Sequence, residues 1–123
     1  MKWVTLDRPP AATPAEAEAA RRLRQAVRGR NVVEFRYAGV ERRVEPYAVF
    51  RGPSGRLYLD GWGGGFSRAG SANRWRRFRL DRVQGPVRVR RDTFEPLREG
   101  FNPAADAYAG GLSVAAGLTP AAP

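Results

Sequence analysis

The sequence predicts a mainly β domain, in which one N-terminal helix precedes a small antiparallel barrel of five short strands. Three observations lead to this class. Apolar residues recur at helical spacing before Gly29, they alternate with polar residues after Asn31, and turn residues divide the later part into short runs. Successive short strands favour a strongly bent antiparallel arrangement over a parallel sheet. A chain of 123 residues has room for one such domain.

The helix is predicted over residues 14–28. Thr13-Pro14-Ala15-Glu16 is a capping box with proline at the first helical position, and Gly29 provides the stop. Residues 1–12 form a lead in which Lys2 to Leu6 has the composition of a short edge strand. The apolar stripe of the helix consists of Ala19 or Ala20, Leu23, Ala26 and Val27.

Three strands are predicted next. The first runs from Asn31 to Tyr37, before a turn at Ala38-Gly39. The second, Glu41 to Phe50, is expected to kink at Pro46 because proline has no amide proton to donate to the sheet. The third runs from Arg56 to Trp62.

A glycine-rich stretch, residues 61–73, predicts a flexible loop before the fourth strand, Arg74 to Val83. Gly85-Pro86 then separates a fifth strand, Val87 to Arg91. The domain is expected to span residues 13–103, and the Ala/Gly/Pro-rich residues 104–123 predict a tail.

The composition limits which classes of function fit the chain. Lys and Arg number 22 against 12 Asp and Glu, and the net charge of +10 favours a polyanionic partner such as nucleic acid. The chain has no Cys and no His, which excludes disulfides, thiol chemistry and imidazole bases. We therefore expect no enzyme activity, no catalytic residues, no cofactor and no metal. With no signal peptide and no long apolar stretch, a cytoplasmic protein without a membrane partner is expected.

The charge is concentrated in one segment. Between Arg74 and Arg91, eight residues are arginine and only Asp81 is acidic. Side chains alternate along a strand, so inward Phe78 and Leu80 would send Arg77, Arg79 and Asp81 outward and leave Arg76 and Arg82 at the barrel rim. Aromatic residues accompany the arginines, and this combination stacks bases and neutralises phosphates on single strands. These aromatic residues are Tyr58, Trp62, Trp75 and Phe78.

Three alternatives stay open from the residues alone. The arginines could only keep an exposed strand soluble, with Arg79 paired to Asp81. They could meet an acidic protein, which would make the domain a protein-protein interaction scaffold. A hydrolase that uses Asp60 or Asp81 with a metal is the third; ion pairs with nearby arginines explain these carboxylates, and Glu45, more simply. The glycines at 61–65 lack the Lys-Ser/Thr of a phosphate-binding loop.

Several blocks of sequence together resemble a known family. Over about Leu23 to Phe101, their order is similar to the WYL domain of bacterial transcriptional regulators, and the block of the form R-x-F-R-L-D-R-[IV] is its most specific part. The blocks are Val33-Glu34-Phe35-Arg36-Tyr37, Arg43-Val44-Glu45-Pro46-Tyr47, Leu57-Tyr58-Leu59, Arg76-Arg77-Phe78-Arg79-Leu80-Asp81-Arg82-Val83 and Asp92-Thr93-Phe94.

The resemblance implies an Sm-like or SH3-like barrel that senses a ligand, for some members single-stranded nucleic acid, in transcriptional regulation. A nucleotide signal, a DNA-binding partner protein and a homodimer belong to the same expectation. Leu57 stands where the family motif has tryptophan, and the usual winged helix-turn-helix is expected to be absent because only residues 1–30 precede the first strand. The ligand positions implied are Tyr58, Arg76, Arg79 and Arg82, followed by Arg43 and Tyr47.

Overall fold

In the part of the chain that the structure describes, the fold consists of one helix and six antiparallel strands. The structure, a computed structural model, describes residues 12–65, 74–96, 98–105, 108 and 111–115. The predicted edge strand at Lys2 to Leu6 lies outside these residues. The elements are α1 (Pro14–Gly29), β1 (Asn31–Tyr37), β2 (Val40–Arg51), β3 (Leu57–Gly65), β4 (Arg74–Arg79), a 3-10 turn (Leu80–Arg82), β5 (Val83–Thr93) and β6 (Leu112–Ala115).

Helix α1 begins and ends close to where its sequence predicts. The Thr13 hydroxyl accepts a hydrogen bond from Glu16 N (3.1 Å), which satisfies one free N–H of the first turn. At the other end Gly29 is still helical, and Arg30 adopts the left-handed conformation (φ 57°) that ends the helix. The buried side of α1 holds Ala19, Ala20, Leu23, Ala26 and Val27, which is the predicted stripe.

The sheet has the order β4-β3-β2-β1-β5, and β6 pairs with β2 beside this path. In a flat sheet, β4 and β1 would be about 14 Å apart, three strand spacings. Yet the Tyr37 hydroxyl accepts a hydrogen bond from Arg79 N (3.1 Å), and the Tyr37 and Phe78 rings lie 5.0 Å apart. The sheet therefore curls around its core but stays open, and the predicted mainly β class with one N-terminal helix is confirmed.

A bulge in β2 gives the domain two apolar clusters. The pairing of β2 with β3 shifts between Pro46 and Ala48, where the sequence predicts a kink. Val44 and Val49 therefore belong to the main core, against α1, whereas Ala48 and Phe50 belong to a second cluster on the opposite face. Val44, Ala48 and Phe50 are separated by even numbers of residues, yet they do not share a face, because the bulge reverses the alternation between Val44 and Ala48.

Residues 61–65 of the predicted loop belong to a strand, because β3 continues through Gly65. Its glycines allow close approach of β2. A Cβ at Gly61 would collide with Val44 Cγ1 and lie 2.9 Å from Glu45 O, so only glycine fits there. Residues 66–73 lie outside the part of the chain that the structure describes.

The fourth strand is shorter than predicted and the fifth is longer. β4 ends at Arg79, and Leu80–Arg82 form a 3-10 turn, so Arg82 does not lie on the strand whose alternation predicted a rim position for it. Gly85-Pro86 does not break β5. It forms a bulge, since the pairing with β1 shifts between Glu34 and Arg36 and Gly85 has a φ of 72°.

The predicted tail from Ala104 contains folded structure, which corrects that expectation. Strand β6 pairs with the second half of β2, and Ala115 and Tyr108 are buried. Tyr108 donates a hydrogen bond to Asp60 (2.6 Å) and its ring packs edge-on against Phe50 (4.7 Å). Tyr108 and Ala115 pack against Ala48 and Phe50 of β2. Without this packing, the apolar side chains of Ala48 and Phe50 would be exposed to water.

Candidate functional site

Strand β4 presents different arginines on its two faces. Phe78 points into the core, and Arg76 and Arg74 share its side of the strand. Trp75 and Arg77 face the other way, toward residues 99–105 and 108. The two faces have different electrostatic environments.

A groove of about 310 Å³ lies on the Phe78 side. Its size is at the lower end of the range for small-ligand sites. We call it the basic groove. It is lined by Tyr37, Arg42, Arg74, Trp75, Arg76, Arg77 and Phe78.

Two guanidinium groups of the basic groove are held by backbone carbonyls. Arg42 donates from Nε and Nη2 to Tyr37 O (3.3 and 3.2 Å), and Arg76 donates from Nε to Gly63 O (2.9 Å). A carbonyl fixes a guanidinium in place without cancelling its charge. These two arginines are therefore positioned but still cationic.

Arg42, Arg74 and Arg76 form an uncompensated cluster. Burial lowers the pKa of Arg76, and the positive charges of Arg74 and Arg42 lower it further. Arg76 remains protonated at neutral pH because an arginine pKa starts so high. None of the three forms an ion pair with a carboxylate of the described residues.

Neighbouring arginines are neutralised instead. Arg77 makes a two-point contact with Asp60 (2.7 and 2.8 Å), and Arg79 makes one with Asp81 (3.0 and 2.7 Å). These hydrogen bonds raise the pKa of both arginines. The Arg79–Asp81 pair is the one expected if Arg79 served only solubility.

The carboxylates considered for catalysis are engaged in ion pairs. Asp60 binds Arg77, Asp81 binds Arg56 and Arg79, and Glu45 binds Arg98. Within the described ranges, no group of three or more acidic side chains is placed to hold a metal ion.

The structure places the predicted ligand residues in different surroundings. Arg76 lines the basic groove. Arg79 lies at its Tyr37 end through the backbone hydrogen bond, and Arg82 directly precedes Val83, the residue paired with Tyr37. Tyr58 is half-buried on the opposite face, where its ring stacks on Phe50 (5.5 Å).

The last two predicted positions lie away from the groove. Arg43 points to the outer face, where it binds Glu34 (2.8 Å) and Asp92 (2.6 Å). Tyr47 is fully buried, and its hydroxyl accepts a hydrogen bond from Arg98 N (3.1 Å). Burial raises the pKa of Tyr47.

Sequence reasoning missed Arg42, Arg74 and Tyr37 as groove residues. A signal was present, because Arg42 shares the strand alternation of Val44 and Tyr37 shares that of Phe35, so both point inward. The sequence pattern does not show that the sheet curls, and this curl brings β1 and β4 together.

The comparisons with known proteins agree with this fold. A model of the WYL domain matches residues 18–87, more than half of the chain. The chain belongs to the WYL domain family. The matched part of this WYL domain includes every residue that lines the basic groove, and residues 98–115 lie beyond it.

A solved structure resembles this WYL domain. It is proteasome accessory factor B/C (PafBC) of Arthrobacter aurescens, with a TM-score of 0.56 and 29% sequence identity. The similarity covers 77% of this chain and 15% of that chain, so the WYL domain spans a small part of PafBC. No curated protein matches the chain. Among the described residues, no helix is long and apolar enough to cross a membrane.

Proposed function

We propose that this WYL domain is a ligand-sensing module of transcriptional regulation, and that its basic groove binds the phosphates of single-stranded nucleic acid or of a nucleotide. Family membership supports the general role, a regulatory module without catalysis. The carboxylates that catalysis would need are already paired with arginines.

One observation carries the proposal. Arg42, Arg74 and Arg76 converge on one groove without a carboxylate partner among the described residues, whereas Arg77 and Arg79 of the same strand each have one. Clustered cations repel one another, and this repulsion adds to the effect of burial in lowering the pKa of Arg76. An anionic ligand would relieve this repulsion, and guanidinium groups bind phosphate through two parallel hydrogen bonds.

The groove also offers aromatic surface. Tyr37 and Trp75 are half-buried and line it beside the three arginines. Arginine next to aromatic rings suits single-stranded nucleic acid, whose bases are free to stack. Arg79 and Arg82 are proposed to extend the site at its Tyr37 end. Tyr58, which stacks on Phe50 on the opposite face, is left out of it, as are Arg43 and Tyr47, which are engaged elsewhere.

The regulatory response to ligand binding is proposed to be carried out by another domain or protein. PafBC is much longer than this WYL domain, which is consistent with a sensing module that acts together with a further part. A DNA-binding partner protein and a homodimer are the two arrangements we propose.

The test is a titration of a labelled single-stranded oligonucleotide at several salt concentrations. Arg76→Ala should weaken binding about tenfold, about 1.4 kcal/mol, which is typical of one charge-assisted hydrogen bond. The slope of log K against log salt should also become shallower by about 0.7 for each phosphate that the variant no longer neutralises. Arg42→Ala and Arg74→Ala should act in the same direction.

Arg36→Ala is the matched control. It removes one exposed arginine from the outer face of β1, where Arg36 pairs with Glu41, and should leave affinity and slope almost unchanged. Equal losses for Arg36→Ala and Arg76→Ala would mean that diffuse charge, and not the groove, attracts the ligand. Polyglutamate that binds as tightly as the oligonucleotide would favour the protein-scaffold alternative.

A further inference from the structure

A second cleft, of about 400 Å³, lies on the opposite side of β4, between this strand and residues 100–105 and 108. Three aromatic rings line it, so we call it the aromatic cleft. The rings belong to Trp75, Phe101 and Tyr108, and Ala105 and Asn102 also line the cleft. Residues 100–108 lie beyond the part of the chain that matches the family model.

The aromatic cleft adjoins the basic groove. Trp75, Arg76 and Arg77 line both. In the described part of the chain, β4 pairs only with β3, so its other edge is open between the two sites. One ligand can therefore contact both sides of β4 at once.

The chemistry of the two sites differs. In the aromatic cleft the charge of Arg77 is compensated by Asp60, and Arg76, which also lines the basic groove, is the uncompensated cation among its lining residues. The rest of the lining offers flat apolar surface. The rings of Trp75 and Phe101 are half-buried and nearly parallel (28°), with centroids 6.1 Å apart, and Tyr108 lies 6.0 Å from Phe101.

The rings of the cleft are held in place. Trp75 Nε1 donates a hydrogen bond to Glu99 O (2.8 Å), which fixes the indole against residues 99–101. Gly100 lies so close that a Cβ there would be 2.7 Å from Trp75 Nε1. A stacking surface that is already ordered loses little entropy when a planar ligand binds.

We propose that the aromatic cleft binds a nucleobase of the same ligand whose phosphates lie in the basic groove, so that the ligand crosses the free edge of β4. This inference rests on the proposed function. It assigns Phe101 and Tyr108, outside the matched family region, a direct part in ligand binding.

The experiment compares a single-stranded oligothymidylate with an abasic oligonucleotide of the same length, which keeps the phosphates and lacks the bases. The wild type should bind the oligothymidylate about tenfold more tightly, as expected for stacking of one base. Both oligonucleotides should show the same salt slope, because the slope counts phosphates.

Ala105→Phe fills the cleft without changing any charge. It should reduce oligothymidylate affinity to that of the abasic oligonucleotide, and leave abasic binding unchanged. Ala104→Phe is the matched control, because Ala104 is exposed and does not line the cleft. If Ala105→Phe does not fold, as judged by circular dichroism, Asn102→Phe at an exposed cleft position replaces it.

The outcomes separate the two proposals. Equal affinity of the wild type for both oligonucleotides, or normal oligothymidylate binding by the folded cleft variant, would overturn the base site while the phosphate groove stands. If neither oligonucleotide binds the wild type, the proposed function fails and the base site fails with it.

Discussion

At the scale of single residues, two neighbours of the same type show how surroundings determine a role. Arg76 and Arg77 are adjacent on β4, yet Arg77 binds the carboxylate of Asp60 and Arg76 binds only a backbone carbonyl. The first arrangement cancels the charge, and the second positions it. A ligand phosphate therefore has much more to gain from Arg76 than from Arg77.

The contacts of Asp60 lead to a testable prediction at this scale. Its buried carboxylate accepts hydrogen bonds from Arg77 and from the Tyr108 hydroxyl. Asp60→Asn should lower the free energy of unfolding by about 1–2 kcal/mol, less than for a fully buried pair because water reaches Arg77. Tyr108→Phe, which removes one hydroxyl, should cost about 1 kcal/mol. Urea denaturation measures both.

Tyr58→Phe is the control for Tyr108→Phe. Tyr58 also packs against Phe50, and its hydroxyl has no hydrogen bond among the described residues, so its loss should leave stability almost unchanged. Equal effects of the two substitutions would show that the Tyr108–Asp60 hydrogen bond does not hold the C-terminal segment.

At the scale of elements, β3 depends on glycines that a composition argument assigns to a loop. Gly61 faces β2 so closely that any side chain would meet Val44 and the carbonyl of Glu45. The same residue type thus serves close packing here and chain reversal at Gly39 (φ 76°). Composition alone does not separate the two uses.

Gly61→Ala should destabilise the domain by about 1–3 kcal/mol, the usual cost of forcing an extra methyl into packed structure. Gly39→Asn is the comparison, because a Cβ at Gly39 meets nothing within 4 Å and asparagine tolerates a positive φ. It should change stability by less than about 0.5 kcal/mol. The midpoints of urea denaturation compare the two, and similar losses would contradict the close packing of β3 on β2.

The elements that the sequence predicted well are those fixed locally. Helix α1 is specified by Thr13, Pro14 and an apolar stripe, all within its own length. The limits of β4 and β5 were predicted less well, because Asp81 and Gly85-Pro86 permit a turn, a strand or a bulge. Pairing with β1 selected among these. Strand β6 was missed because four residues carry little pattern, and its support comes from β2.

At the scale of the whole molecule, the sequence has 22 Lys and Arg side chains and only 12 Asp and Glu. In the described part of the chain, the two strands that end the main path of the sheet, β4 and β5, both carry arginines. Like charges on these two strands oppose edge-to-edge strand pairing between copies of the chain. The same charges make the basic groove attractive to anions. The excess of arginine can therefore serve both solubility and ligand binding.

Acid should therefore weaken the fold. The hydrogen bond from Arg79 holds the pKa of Asp81 below its ordinary value of 3.8. A carboxylate whose pKa is lower in the folded than in the unfolded state stabilises the protein above the unfolded value, and this contribution is lost as pH falls through the folded value. Asp81→Asn should thus lower stability by a constant amount above about pH 5, and the difference should shrink below about pH 4.

Denaturation from pH 7 to pH 3 measures this difference. Glu95→Gln is the control, since Glu95 is exposed and its ion pair with Arg30 spans 3.8 Å, so it should have little effect at any pH. A loss for Asp81→Asn that grows toward acid pH would contradict the role given to Arg79.

The sequence by itself determined the mainly β class, the position of α1, the concentration of arginine on one strand and the resemblance to the WYL family. These properties follow from residues near one another in the chain. Only the tertiary structure decided which arginines are free to bind a ligand. That depends on partners distant in sequence, such as Asp60 for Arg77 at a separation of 17 residues and Asp92 for Arg43 at 49. The curl of the sheet, which no local pattern encodes, brings Arg42 on β2 beside Arg74 and Arg76 on β4.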